Sequence, residues 1–552
     1  MKNRLNFKTI FLLVILSAGI FMSCKDENVL GNPDRLFRPI VKTATYNTTW
    51  IKLEWDRYTG AKSYEITLSV DSFQNVVRLQ RTDSTQFTFT GLKMDQKYQI
   101  RIRSYGDSIM ANGDTIKSEY YVLPDITTLD YPTKLITPLS SDIIDNSVRL
   151  SWNVTSTIYS RIDVCINKDS AAVASINLSA QDNIDGVKIV TGLNPATTYY
   201  LKIYDGDAYM GKKVVKTAAA QVFTGDVVDL REYTDDQSKT LITQTFMDSL
   251  ALAHPGGYNM ILSGGATYTI ATVMLSVNVN IVTGLSFKGK AIMAINGNFA
   301  VPTLATPVGS IRFKNVFFDQ GNIPGKLKTD ANYGGTYLFN FNQSGGNLDS
   351  LKIENCDIKY KRGFIRMQTS AKINYISVNN CTFDSIGGYG LINNGNAASE
   401  IKDIVFTNST VSHADKLFVC GQTKGINSIT VDHITTCYSP IAGQYFLDYN
   451  TNTIPGGVMI SNSVFGIGNG TAPALVNGIR SAATSISVTN CFRASDLGWA
   501  VNATTLVPNY PIDDFVDLGV NTIPMYTDPA KYNFKVTDPK LVNKVGDPRW
   551  WK

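Results

Sequence analysis

The stretch "VNNCTFDSIG", residues 378–387, decides the fold. Val378, Asn380 and Phe383 read as inward-facing, yet strict alternation holds only up to Asn380 and restarts at Cys381. The same break recurs in "IENCDIK", "FTNSTVS", "ISNSVFG" and "VTNCFRA". The asparagines are Asn315, Asn355, Asn380, Asn408, Asn462 and Asn490, and His433 takes the same slot in "ITVDHITT". Their separations are 40, 25, 28, 25, 29 and 28 residues. Residues two and four before each slot are apolar, as in Ile376 and Val378, Ile404 and Phe406, or Val458 and Ile460. Side chains alternate along a strand, so these point inward. An alternation that restarts one residue later means that the chain turns a corner, and asparagine tolerates the left-handed backbone a corner needs.

A corner repeated every twenty-odd residues predicts the coils of a parallel β-helix, with the longer first interval holding a loop insertion. Stacked asparagine amides would hydrogen-bond from coil to coil as an internal ladder. The asparagines are therefore structural. Ahead of the repeats, "DDQSKTLITQTFMDSLALAH" places Leu241, Ile242, Phe246, Leu250 and Ala253 at helical spacing. A short amphipathic helix followed by "PGGYNMILSGGATYTI" resembles the N-terminal cap of right-handed parallel β-helices. Such a cap covers an open strand edge that would otherwise template aggregation.

Two other segments share a template. Residues 34–128 contain "IKLEWDR", "SYEITLS" and "FTFTGLKMDQKYQIRIR"; residues 129–224 contain "VRLSWNV", "RIDVCIN" and "IVTGLNPATTYYLKIY". Each opens with an alternating strand that ends in tryptophan, Trp55 or Trp152. Each later carries a leucine six residues before a tyrosine, Leu92 with Tyr98 and Leu193 with Tyr199. This resembles the fibronectin type III fold, in which that tyrosine forms a corner by hydrogen bonding back to the main chain. Trp55 and Trp152 are then core anchors, and the modules are spacers.

The fold class is all-β: two N-terminal fibronectin type III-like sandwiches followed by a right-handed parallel β-helix with an N-terminal helical cap. The expected parts are a signal peptide at 1–23, a linker at 24–33, modules at 34–128 and 129–224, the β-helix at 225–510, and a C-terminal wrap at 511–552. With 552 residues, several cores are required. Aromatic residues at 11% and charged residues at only 18% fit an exported β-rich chain better than a helical cytosolic enzyme.

The first residues read as a targeting segment. Lys2, Arg4 and Lys8 precede "TIFLLVILSAGIFM" and then Ser23-Cys24. Ser23-Cys24 resembles a bacterial lipobox, and Lys25-Asp26-Glu27 resembles the export signal of Bacteroidetes surface lipoproteins. The resemblance implies acyl chains on Cys24, which would anchor the protein in outer-membrane lipid facing the cell exterior. Removing residues 1–23 takes the formal charge from +5 to +2, which excludes bulk nucleic-acid binding. Of the six remaining cysteines, Cys356, Cys381 and Cys491 each follow a corner asparagine. They read as small apolar core residues rather than disulfide partners.

The order of parts, ending in Gly-Asp-Pro-Arg-Trp, resembles Bacteroidetes outer-membrane surface lipoproteins with a pectate-lyase-like β-helix of unknown function, as found in polysaccharide-utilisation systems. That implies a polysaccharide ligand and an outer-membrane glycan importer as partner. Hydrolysis of polygalacturonate needs paired carboxylates, and between residues 300 and 510 the only glutamates are Glu354 and Glu400, with no Asp-Asp pair. A lyase acting on uronic acids by β-elimination needs a cation, with calcium the expected ion for that alternative alone, and a Lys or Arg base. In "TVDHITT" His433 sits in the ladder slot, and Asp432 has no acidic partner nearby in sequence. A structural or adhesive surface protein is the third alternative. No catalytic residue, resident cofactor or metal ligand is assigned.

Binding needs less. Before the corner, outward positions carry Arg312, Lys314 and Lys352, and "DIKYKRGFIRMQ" adds Lys359, Tyr360, Lys361, Arg362, Phe364 and Arg366. With Ile365 and Met367 turned in, Phe364 and Arg366 are expected to face out. Arginines that pair with carboxylate or sulfate, beside rings that pack on a sugar face, suit an acidic, pectin-like polysaccharide. The leading expectation is a cell-surface glycan-binding lipoprotein.

Overall fold

In the computed structural model of the protein, the described residues are 36–109, 113–319, 336–419, 426–450, 452–469, 474–482, 485–499, 509–510, 514–539 and 541–551. The signal peptide, Cys24, Lys25, Asp26, Glu27 and Cys420 lie outside them. Contacts divide the chain into two compact units. One comprises the described residues up to 137 with 150–188 and 198–215; the other comprises 138–149, 189–197 and the described residues from 216 onward.

The first module has Val41–Tyr46, Ile51–Trp55 and Gln86–Phe89 in one antiparallel sheet. Val76–Thr82, Ser63–Ser69, Lys97–Ile109 and Thr115–Lys117 lie in the other. Alternation places Ile51, Leu53, Trp55, Ile66, Leu68, Ile100 and Ile102 in its core. Trp55 meets Tyr64 edge-on at 5.3 Å. The buried Tyr98 hydroxyl accepts from Lys93 N at 2.9 Å, the tyrosine corner expected from the leucine spacing. The second module repeats the plan. Ser147–Ser151 pairs with Val187–Thr191, and Ala174–Asn177, Arg161–Cys165, Thr198–Asp205 and Ala208–Lys216 form a four-stranded sheet.

A parallel β-solenoid of about eight turns follows over residues 267–517. Inward residues two before each corner stand in register: Phe313, Ile353, Val378, Phe406, Val431, Ile460 and Val488. Every corner residue is left-handed, with φ of 59° at Asn315, 51° at Asn355, 56° at Asn380, 50° at Asn408, 54° at His433, 47° at Asn462 and 54° at Asn490. The ladder forms, with Asn355 Nδ2 donating to Asn315 Oδ1 at 3.0 Å and Asn380 Nδ2 to Asn355 Oδ1 at 3.1 Å. Asn490 Nδ2 likewise donates to Asn462 Oδ1 at 2.8 Å. Two details differ from expectation. Asn380 is half-buried at the corner rather than inside the lumen. Asn408 donates to Asn379 Oδ1 instead of Asn380. His433 keeps the corner through Asp432, whose carboxylate also accepts from Ser461 and Asn462, so this pair is structural.

Sequence reading missed a second corner, five residues after the first. Tyr360, Ser385, His413 and Tyr438 have φ of 55°, 60°, 53° and 53°. They repeat the 25-, 28- and 25-residue intervals but have no single residue type in common, only Tyr360 and Tyr438 matching. The short segment between the two corners points Asp357, Thr382 and Thr410 outward, with Lys359, Asp384 and Ser412 two residues on.

The expected single cap helix is two helices, Asp235–Leu241 and Gln244–Ala253. Thr243 separates them, because its side chain accepts from Phe246 N and starts the second. Ile242 and Met247 carry the apolar face into the solenoid core. At the other end, residues 526–536 form a hairpin, and Pro548–Trp550 a short 3-10 turn. Cys165, Cys356, Cys381, Cys437 and Cys491 are buried free thiols.

Candidate functional sites on the solenoid

The nine sequence candidates separate into three groups and two core residues. Lys361 is fully buried, and its Nζ donates to the Ile295 and Asp319 carbonyls. Tyr360 is the second corner, so alternation restarts there and turns Lys361 inward, in register with Ile386. Burial lowers its pKa to about 7, with only the Asp319 charge opposing. Phe364 is also buried, edge-on to Phe383 at 4.9 Å. Pairing with the next coil shifts register between Lys361 and Gly363, and that irregularity turns Phe364 in. Neither residue belongs to a surface site.

Arg362 and Arg366 form the first group. Both guanidiniums lie 4.7 Å from the Tyr389 ring centre, and Arg366 Nη1 donates to the Tyr337 hydroxyl at 3.0 Å. The Tyr337 hydrogen bond, helped by both arginines, holds the Tyr389 phenol below its usual pKa. These cations are already engaged with rings.

Lys359 lines a groove of about 290 Å³ on the face between the two corners, and Tyr360 is the second corner next to it in sequence. Asp357, Lys359, Thr382, Asp384, Thr410 and Ser412 form its floor, and Tyr532, Phe534 and Trp550 come from the C-terminal segment. Asp384 is 4% exposed and lies 3.2 Å from His413 Nδ1 and 3.9 Å from Lys359 Nζ. Burial opposes its ionisation, but His413, Lys359 and the Ser412 hydroxyl together hold its pKa below the usual carboxylate value.

Arg312, Lys314 and Lys352 form the third group, on the face before the first corner. They line a cleft of about 680 Å³ with Gln221, Asn259, Asn278, Asn280 and Ser310. Parallel pairing puts Asn259, Asn280, Arg312 and Lys352 in one column across four successive strands. Lys314 sits two residues from Arg312 on the same outward face. No carboxylate lines the cleft among the described residues. Glu354, the next outward residue after Lys352, pairs with Arg312 at 2.5 Å, and Lys314 and Lys352 make no ion pair among the described residues. Asn280 Nδ2 donates to Asn259 Oδ1 at 2.8 Å, whereas Asn280 Oδ1 and Arg312 Nε are buried with no hydrogen-bond partner among the described residues. Sequence reading found the three cations but missed the asparagines, because Asn259 and Asn280 precede the first recognisable corner.

Residues 266–414, which carry most of these groups, match the model of a domain of unknown function, DUF4957. No curated protein matches the chain in sequence. Among solved structures, the chain is similar to the two-domain fibronectin type III segment of chicken tenascin, at 18% identity and a TM-score of 0.17. That likeness covers 33% of this chain and 100% of the other. It is also similar to the FN5 domain of Drosophila Lar, at 25% identity and a TM-score of 0.12, covering 16% of this chain and 94% of the other.

Proposed function

We propose that the protein is a cell-surface polysaccharide-binding protein whose solenoid holds an acidic, pectin-like glycan in the cleft of Arg312, Lys314 and Lys352. One observation carries this reading: cations and amide groups converge in one cleft on a sheet face, where no carboxylate is among the described lining residues. A uronic-acid chain offers carboxylates to the lysines and hydroxyls to the asparagine column. Charge-assisted hydrogen bonds are the strong ones in such recognition. Arg312 Nε and Asn280 Oδ1 add a donor and an acceptor whose hydrogen-bonding capacity is unused among the described residues. Strand positions are better platforms for such a site than loops, because neighbouring coils fix every side-chain origin.

Both fold types are compatible with carbohydrate binding or adhesion at a surface. The surface location rests on Cys24 and Lys25-Asp26-Glu27, which support a lipid-anchored, outward-facing protein. On that reading the fibronectin-like modules hold the solenoid away from the lipid, and an outer-membrane importer receives the captured glycan. The test is direct binding of polygalacturonate by the chain from residue 25 onward, with Lys314 and Lys352 intact and removed. Retardation without new unsaturated product is the expected result.

A further inference from the structure

The groove over Asp384 has a different chemistry from the cleft. Its floor is a grid of short polar side chains from successive coils: Asp357, Thr382 and Thr410 beside Lys359, Asp384 and Ser412. Its wall is aromatic. Trp550 is locked by Nε1 donating to Thr410 Oγ1 at 2.7 Å and by an edge-on contact with Phe534 at 5.5 Å. Tyr532 is 41% exposed, with the Lys359 ammonium 5.3 Å from its ring centre. Rigid rings facing a hydrogen-bonding grid match the two faces of a sugar, one of C–H groups and one of hydroxyls.

Charge narrows the ligand. Asp357 is paired with Lys290 at 2.8 Å, and Asp384 is balanced by Lys359 and His413. Among the described residues of the groove, neither an anion nor a cation finds an uncompensated partner. Two groups keep capacity for uncharged donors and acceptors. Asp384 Oδ2 is buried without a hydrogen bond of good geometry, and Lys359 Nζ makes no hydrogen bond among the described residues. The Tyr532 phenol reaches the Asp384 carboxylate without forming a well-aligned hydrogen bond, and a sugar hydroxyl taking its place would give Asp384 Oδ2 a full donor.

We propose that this groove is a second saccharide site, which takes an uncharged pyranose with its hydroxyls toward Lys359 and Asp384 and its C–H face on Tyr532 and Trp550. The cleft and the groove would then read the acidic and neutral sugars of a mixed polysaccharide separately.

Saturation-transfer NMR on the chain from residue 25 onward, with the methyl glycosides of galactose, glucose, mannose and xylose at millimolar concentration, tests this. At least one glycoside should bind, and Tyr532→Ala should weaken it tenfold or more. Lys359→Gln, whose side chain is partly exposed and held by a long ion pair to Asp384 and by the Tyr532 ring, should do the same in a chain that still unfolds cooperatively. The pair Lys314→Ala and Lys352→Ala should leave neutral-glycoside binding intact, which separates this site from the cleft. The proposal is overturned if none of the four glycosides binds, if they bind both groove variants as tightly as the wild type, or if methyl galacturonide binds the groove better than they do.

Discussion

Arg549 donates from Nη2 to Asn380 Oδ1 at 3.0 Å, across 169 residues of sequence. The contact occurs where the asparagine ladder steps sideways. Asn408 gives its amide to Asn379, so Asn380 has no partner on the next corner, and the C-terminal segment supplies one. Asp547 fixes the arginine, accepting from Arg549 Nε at 2.6 Å and from Thr410 Oγ1 at 2.8 Å while 0% exposed. Gly546 lets the chain pass: its φ is 72°, and a Cβ there would lie 2.6 Å from Thr435 Oγ1. Gly-Asp-Pro-Arg-Trp is thus a docking motif for the side of the solenoid.

Asp547→Ala should therefore destabilise the solenoid by about 3 kcal/mol or more, since it leaves a half-buried guanidinium without its carboxylate. Gly546→Ala should also destabilise, through the clash and the left-handed backbone. Urea unfolding midpoints check both, with Lys544→Ala as an exposed control.

Lys361 makes stability depend on pH in the alkaline range. Its folded pKa of about 7 lies below the ordinary lysine value of 10.5, so the native chain binds fewer protons between those values. The cost of burying the charge is fully present below about pH 7 and is relieved as pH rises toward about 10.5. Lys361→Met should remove that upward slope, measured as unfolding free energy from pH 7 to 9.5.

Lys212 ties the two fibronectin-like modules. Its Nζ lies 2.5 Å from Asp95 Oδ2 and 2.7 Å from Asp130 Oδ2, and its side chain is 10% exposed. Tyr209 also donates to Asp130 at 2.8 Å. Lys212→Ala leaves two part-buried carboxylates facing each other, with only Lys168 at 3.2 Å from Asp95 in partial compensation. Faster proteolysis around residues 128–133 is expected, with little change in solenoid melting.

On the lipoprotein proposal, Cys24→Ala should abolish membrane attachment. Replacing Lys25, Asp26 and Glu27 with alanine should leave the protein anchored but hidden from proteases added outside the cell. Fractionation with surface proteolysis reads both outcomes.

Where residue type and position coincided, the fold was legible. The corner asparagines announced themselves because a left-handed corner selects asparagine, and Tyr98 because its corner needs a phenol at fixed distance from Leu92. The second corner was not legible, because Tyr360, Ser385, His413 and Tyr438 are held there by neighbouring coils rather than by intrinsic preference. That omission placed Lys361 on the surface, and the register irregularity between Lys361 and Gly363, equally silent in the sequence, did the same for Phe364. The two candidate surfaces were half legible. Arg312, Lys314 and Lys352 could be aligned from the period alone. Asp384 and Tyr532 are 148 residues apart, and only the returning C-terminal segment brings them to one groove.

The central claim is most directly tested by titrating polygalacturonate against the wild type and the Lys314→Ala/Lys352→Ala variant at 50 and 300 mM salt. The account predicts that the wild type binds and weakens steeply as salt rises, because exposed charges are screened beyond roughly 8–10 Å near physiological ionic strength. The variant should bind at least tenfold more weakly at low salt, with a shallower salt slope and an unchanged melting temperature. Charge-assisted contacts are worth about 1.5–3 kcal/mol each, enough for that loss. Full affinity in the variant, or wild-type binding indifferent to salt, would contradict the assignment of the cleft.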